Sequence, residues 1–288
     1  MTLMRKAEEA EPAIELHCRM AIHLRNIADD PLFASTEFNI AYTVALATDN
    51  PLAIVRVLYE QGIMFWMAVD KYPTNAALQK KLLWIAHEIL RITSQGSKGS
   101  REEAMLNVIF GLHAYVDASL TANQGGKHRK YDVATAKFNR ALLLREFHAD
   151  DTPSDEACFL RSWMALAVLR CHQTRLDPLE SKFALLGKKH LDKSYDWLRL
   201  RNPAAEDTEE SMHRAHAWIN LWIGYTLLND ATDVERTLLC QHEAQKLVSV
   251  LHEVFQYEWL KNHFLRVEAE VLHPQGETEL ELEFATFA

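Results

Sequence analysis

The chain has 288 residues and a mass of 33.1 kDa, enough for one large or two ordinary domains and for a core that needs no disulfide or metal. Apolar residues make up 48% and charged residues 25%, as in soluble globular proteins, but nine glycines and eight prolines are about half the usual share. So few turn-formers imply long elements and an all-α fold, and leave no glycine-rich phosphate turn of a doubly wound α/β enzyme. The net charge is -9. Six acids (Glu268, Glu270, Glu277, Glu279, Glu281, Glu283) crowd the last 21 residues, so the body is near neutral and lacks the basic surplus that a nucleic-acid backbone requires.

Taken in chain order, helical periodicity predicts helices at about 3–28, 34–48, 51–70, 74–94, 101–121, 131–148, 154–174, 178–201, 207–229, 231–256 and 257–272. Proline supplies most of the stops, because it lacks the N–H that a helix interior uses. Asp30-Pro31, Asn50-Pro51, Tyr72-Pro73, Asp177-Pro178 and Asn202-Pro203 all punctuate in this way. The run Ser94–Ser100 reads as a flexible link, and Ser100 followed by Glu103 has capping-box spacing. The expected organisation is helical pairs over 1–95, helical repeats over 101–272 continuous with them, and an acidic tail over 273–288.

The N-terminus is acidic where a signal peptide would be apolar. The most apolar stretch, Pro51 to Val69, carries Arg56 and Glu60 and is short for a bilayer. Cys18, Cys158, Cys171 and Cys240 are scattered and fit buried free thiols in a reducing compartment. The expectation is a soluble intracellular protein, cytoplasmic or nuclear, with no membrane partner. The tail from Thr278 alternates Glu with apolar residues; it reads as a disordered acidic tail before it reads as a strand pairing with a partner's edge.

Internal repeats are the most informative feature. Asn107, Phe110, Gly111 and Ala114 align with Trp163, Leu166 and Ala167, and again with Trp218, Leu221 and Tyr225, at steps of 56 and 55 residues. A second helix follows each anchor: Ala134, Phe138 and Ala141 in one, Leu191, Tyr195 and Leu198 in the next. On these residues the chain resembles the tetratricopeptide helix-turn-helix, in which small residues let paired helices approach and aromatics fill the gap between pairs. Trp222 stands where that pattern has a small residue, and the family's period is 34 residues. The resemblance covers about 101–256 and implies a right-handed array of antiparallel helix pairs, a TPR-like α-solenoid with long, irregular repeats.

Two metal chemistries stand as the alternative, an all-α enzyme. Asp150-Asp151…Asp155-Glu156 is similar to the aspartate-rich motif of terpene cyclases, but Thr237 stands where the second cluster, beginning at Asn229-Asp230, needs a glutamate. Acids there also cap a new helix at Ser154. Glu210/His213 and Glu270/His273, with Glu180 and Glu243, have the spacing of a di-metal carboxylate site. Two such pairs are no more than chance placement gives. His213 and His216 share a helix face but have no third ligand nearby in sequence. The basic run Lys127-His128-Arg129-Lys130 reads as a solvated loop. No cofactor or metal is expected.

What remains is a surface argument. In a tetratricopeptide array the first helices line the concave face, and here that face is mostly apolar: Leu112 and Tyr115, then Val168, then Ile223, with Arg161, His172 and His216 able to set orientation. Either other helices of the chain cover this face, or a partner's apolar helix or extended peptide does. The functional expectation is therefore a non-enzymatic protein-interaction scaffold, bound to another protein or to a second copy of itself, with nucleic acid not expected.

Overall fold

A computed structural model of the chain describes residues 3–48, 50–94, 101–148, 154–174, 181–200, 208–229 and 231–272. They form eleven α-helices: α1 (Leu3–Ile27), α2 (Ser35–Thr48), α3 (Pro51–Lys71), α4 (Ala76–Thr93), α5 (Arg101–Ser119), α6 (Gln124–His148), α7 (Asp155–Gln173), α8 (Ser181–Leu200), α9 (Thr208–Leu228), α10 (Val234–Phe255) and α11 (Glu258–Leu272). Short 3-10 turns at Pro31–Ala34 and Ala231–Asp233 are the other regular elements among the described residues. The fold is all-α, as the composition implies.

Local chemistry sets the ends. Asn50 accepts from the N–H groups of Leu52 and Ala53 at 3.1 and 3.4 Å, with Pro51 as the first helical residue. Asn75 caps α4 in the same way, and Ser154 accepts from Ala157 N–H at 3.1 Å to open α7. One boundary differs from expectation. α6 starts at Gln124, with Gly125 and Gly126 in its first turn, where the sequence reads as an insert up to Lys130. Asn123 accepts from Gly126 N–H at 3.1 Å, while Lys130 reaches Asp117 at 2.7 Å and His128 reaches the Cys171 carbonyl at 3.1 Å. A cap and two tertiary contacts offset the roughly 1 kcal/mol that each helical glycine costs.

Consecutive helices pack on one another, α3 also meets α5, α7 also meets α9, and α11 returns to α9 and α1. The main core cluster draws on residues from Ile14 to Val267, and two smaller clusters lie around Phe38 and Tyr131. Every repeat anchor described above lies at or beside that core: Trp163, Leu166, Trp218, Leu221, Tyr225, Phe138, Leu191, Tyr195 and Leu198 are buried, and Phe110 packs against them. α3 is long and apolar enough to cross a membrane by length and composition, and 67% of its most apolar window is buried inside the protein. The tail over 273–288, Ser100, Asp150, Asp151, Glu180, Asp230 and His273 lie outside the described residues.

Candidate functional site

Arg56 of α3 reaches Glu15 of α1 at 2.9 Å, and farther along Lys71 pairs with Asp29, so the two helices lie side by side in one direction. Between α1 and the first turns of α3, α5 and α7 opens a cleft of about 720 Å³. α1 supplies one continuous stripe to it, from Glu11 through Ile14, Glu15, Cys18, Arg19 and Ile22 to His23. That spacing of three and four residues is one helix face, about 18 Å long at 1.5 Å per residue. Opposite stand Leu52, Ala53, Arg56, Tyr59 and Glu60 of α3, Arg101 and Met105 of α5, and Ser154 and Glu156 at the start of α7. His213 of α9 and Tyr257, just before α11, close the far side.

The charges of the cleft are partly spent on one another. Glu15 takes both Arg19, at 2.7 Å, and Arg56. Arg25, 4% exposed, holds Glu60 at 3.0 Å from behind. The buried Tyr59 hydroxyl donates to Glu156 at 3.5 Å. Burial, with Glu60 beside it, pushes the Cys18 thiol up to about 12, so it is a packed thiol at neutral pH and not a nucleophile. His213 sits 5.1 Å from the Phe159 ring. Apolar Ile22 and Leu52 lie between these groups, with Ile14 and Met105 buried beneath them, so the lining is mixed apolar and charged.

The residues expected to read a partner are placed deeper. Leu112 and Val168 expose none of their surface, His216 3% and Arg161 5%. Tyr115 is half-buried between Tyr131 and Trp163, and Ile223 and His172 are half-buried. These side chains belong to the interior or its margin and do not form one open face. Arg161 lies over the Trp197 ring at 4.9 Å and 3.3 Å from His190 Nδ1. The centre that replaces the open face is aromatic: Trp66 packs against Trp163, His216 and Trp259 at ring distances of 5.4, 5.8 and 6.1 Å.

α11 covers that centre. His263 shares Asp70 Oδ2 with Arg266, at 3.0 and 2.7 Å, and Asn262 donates to Asp29 at 2.7 Å. Those partners hold the Asp70 carboxyl down at about 2 although burial opposes this. The sequence reading missed Asp70. Its signal is an acid in the last turn of an apolar helix, where the helix dipole disfavours it and a cationic partner is required.

The remaining candidates resolve locally. His128 Nδ1 faces the Cys171 carbonyl at 3.1 Å and the Cys171 sulfur at 3.4 Å. Its ring N–H is therefore committed to the backbone, which leaves that nitrogen unable to take the thiol proton. His213 lines the cleft while His216, one turn on, is inside the core. Among the described residues no three His, Cys, Asp or Glu side chains gather as a metal set. In comparisons with known proteins, no family model, no curated protein and no solved structure matches this chain.

Proposed function

We propose that the chain is a non-enzymatic interaction scaffold, a TPR-like array of antiparallel helix pairs that takes an extended segment of a partner protein in the cleft beside α1. The pairs are α1/α2, α3/α4, α5/α6, α7/α8 and α9/α10, each second helix leaning on the first helix of the next pair, with α11 as the closing element. The observation that carries the reading is the α1 stripe. It sets Glu11, Glu15 and Arg19 beside the half-buried Ile22, with the buried Ile14 beneath them, and about 18 Å accommodates roughly five residues of extended chain. Such a wall reads a peptide by apolar pockets and by charges of both signs.

The test is a displayed library of random extended peptides screened against the whole protein. Enriched sequences are then measured on Glu11→Arg and Arg101→Glu, two exposed positions of the cleft, and on Leu143→Glu on the outer surface of α6. The reading expects at least about a tenfold loss on one cleft variant, the size of one charged contact, and none on Leu143→Glu. Peptides that bind all three variants alike would remove the cleft from the proposal.

A further inference from the structure

α11 packs back onto α9 and α1 and is tied to α3 through Asp70. Its buried face, Trp259, Leu260, His263, Phe264 and Val267, lies on the aromatic centre. It is joined to α10 through Gln256, whose φ of 59° is left-handed, a conformation that costs a residue with a side chain about 1 kcal/mol. Within the centre, the His216 ring lies 5.8 Å from Trp66, 5.8 Å from Phe159 and 5.3 Å from Trp259. The His263 ring is 5.4 Å away, and among the described residues His216 Nδ1 has no hydrogen-bond partner.

We propose that α11 is a proton-released latch on the cleft: a proton taken up by the buried His216, against His263 and the cations around it, frees α11 to swing about Gln256 and withdraw Tyr257 from the cleft wall. The latch itself stands on the packing of α11; its effect on a ligand rests on the cleft being the binding site. The groups acting on His216 are His263 from α11, Asp70 from α3, Arg25 from α1 and His213 from α9; Arg266 of α11 is engaged by Asp70, and the rings of α7 add no charge. Burial first, then His263, His213 and Arg25, hold His216 well below its ordinary value, with Asp70 alone of the named groups opposing. The latched state therefore keeps His216 neutral. An opened state takes up the proton near the ordinary value of 6.5, so the latch is firm above that pH and loosens as pH falls below it. Asp70 does not change the sense before its own protonation near 2. Glu270, raised by burial and by Asp70, works in the opposite sense.

Hydrogen exchange of the full chain, read on peptides covering 258–272 and corrected for intrinsic rates, tests this. Opening of α11 is expected to rise by up to tenfold per pH unit below about 6.5, the yield of one proton, while α5 and α7 keep their protection. His216→Gln is expected to flatten that dependence, and Asp70→Asn to expose α11 already at pH 7.5. Equal protection of α11 at pH 7.5 and 5.5, or an unchanged slope in a folded His216→Gln, overturns the latch. If His216→Gln fails to fold, full protection of α11 in Asp70→Asn overturns it instead. Opening without any effect on cleft peptides leaves the latch intact and counts against the cleft.

Discussion

Arg214 and Asp155 form an ion pair inside the protein: Nε and Nη2 of the guanidinium both donate to one carboxylate oxygen, at 3.1 and 2.8 Å, and the side chains keep 8% and 0% of their surface. The pair fastens α9 to the first residue of α7, next to the Ser154 cap that faces the cleft. Removing one partner strands the other charge away from water, which costs about 3–5 kcal/mol, whereas replacing both with apolar groups of similar volume is often neutral. Arg214→Met is therefore expected to lower urea stability by that amount, and Arg214→Met with Asp155→Leu to recover most of it. A single-variant loss below about 1 kcal/mol, the range of exposed pairs, would mean the pair is hydrated.

A second prediction concerns close approach. A Cβ on Gly111 would stand 2.7–3.0 Å from three atoms of the Phe138 ring, a rigid group with no exposed surface. On Gly62 it would meet the terminal carbon of Ile109 at 2.7 Å, which can rotate away. Alanine gains about 1 kcal/mol over glycine within a helix, while overpacking costs about 1–3 kcal/mol. Gly111→Ala should destabilise by about 1 kcal/mol or more and Gly62→Ala should be close to neutral. Thermal unfolding of the two variants side by side checks the order, and the reverse order would place the rigid contact elsewhere.

Helix positions were largely legible because caps and prolines act locally. Asn50-Pro51 and Ser154 begin helices with their own side chains, whatever the rest of the chain does. The start of α6 was not legible, since Gly125-Gly126 argues against helix and the Asn123 cap needs the tertiary partners of His128 and Lys130 beside it to reverse that. The apolar inner helices were legible as well, through the anchors at Asn107, Trp163 and Trp218. Which part of them stays open was not. That depends on α11 returning to α1 and α3 through Asn262–Asp29 and His263–Asp70, contacts separated by 233 and 193 residues in the chain. No periodicity encodes such a return; the α1 stripe of Glu11, Glu15 and Arg19 beside Ile14 and Ile22 was the available sign.

Acid should weaken the fold, and His190 is the separable contributor. Burial, then Arg161, Lys189 and Lys193, push it down to about 4. Because the folded value lies below the unfolded one, the folded state favours neutral imidazole. Its contribution is whole above about 6.5 and is lost as pH falls from there toward 4. His113 and His216 shift in the same direction. The midpoint of thermal unfolding is therefore expected to drop between pH 7 and pH 5, and His190→Gln to make that drop shallower. Parallel profiles for the two proteins would show that His190 is as free to protonate folded as unfolded.

The last prediction separates interior from surface on the inner helices. Leu112 and Val168 have no contact with water, so glutamate at either would bring a carboxylate into apolar packing with no partner. A group so placed shifts its pKa and neutralises, and even the neutral acid costs several kcal/mol when its hydrogen bonds are unmet. The lost leucine or valine packing adds about 2 kcal/mol more. Together these approach the whole stability of an ordinary domain, about 5–15 kcal/mol. Leu112→Glu and Val168→Glu should each abolish or severely lower the cooperative transition. Ile223, half-buried at the margin of the same core, can turn a carboxylate outward, and Ile223→Glu should lose only part of that. Arg101→Glu at the exposed mouth of the cleft should leave the midpoint within a degree or two, since surface substitutions stay within about 0.5 kcal/mol. Thermal scans of the four variants fix the order. A folded Leu112→Glu with an unchanged midpoint would mean that the helices packed on α5 do not seal the inner face in solution, and that the face is open to a partner after all.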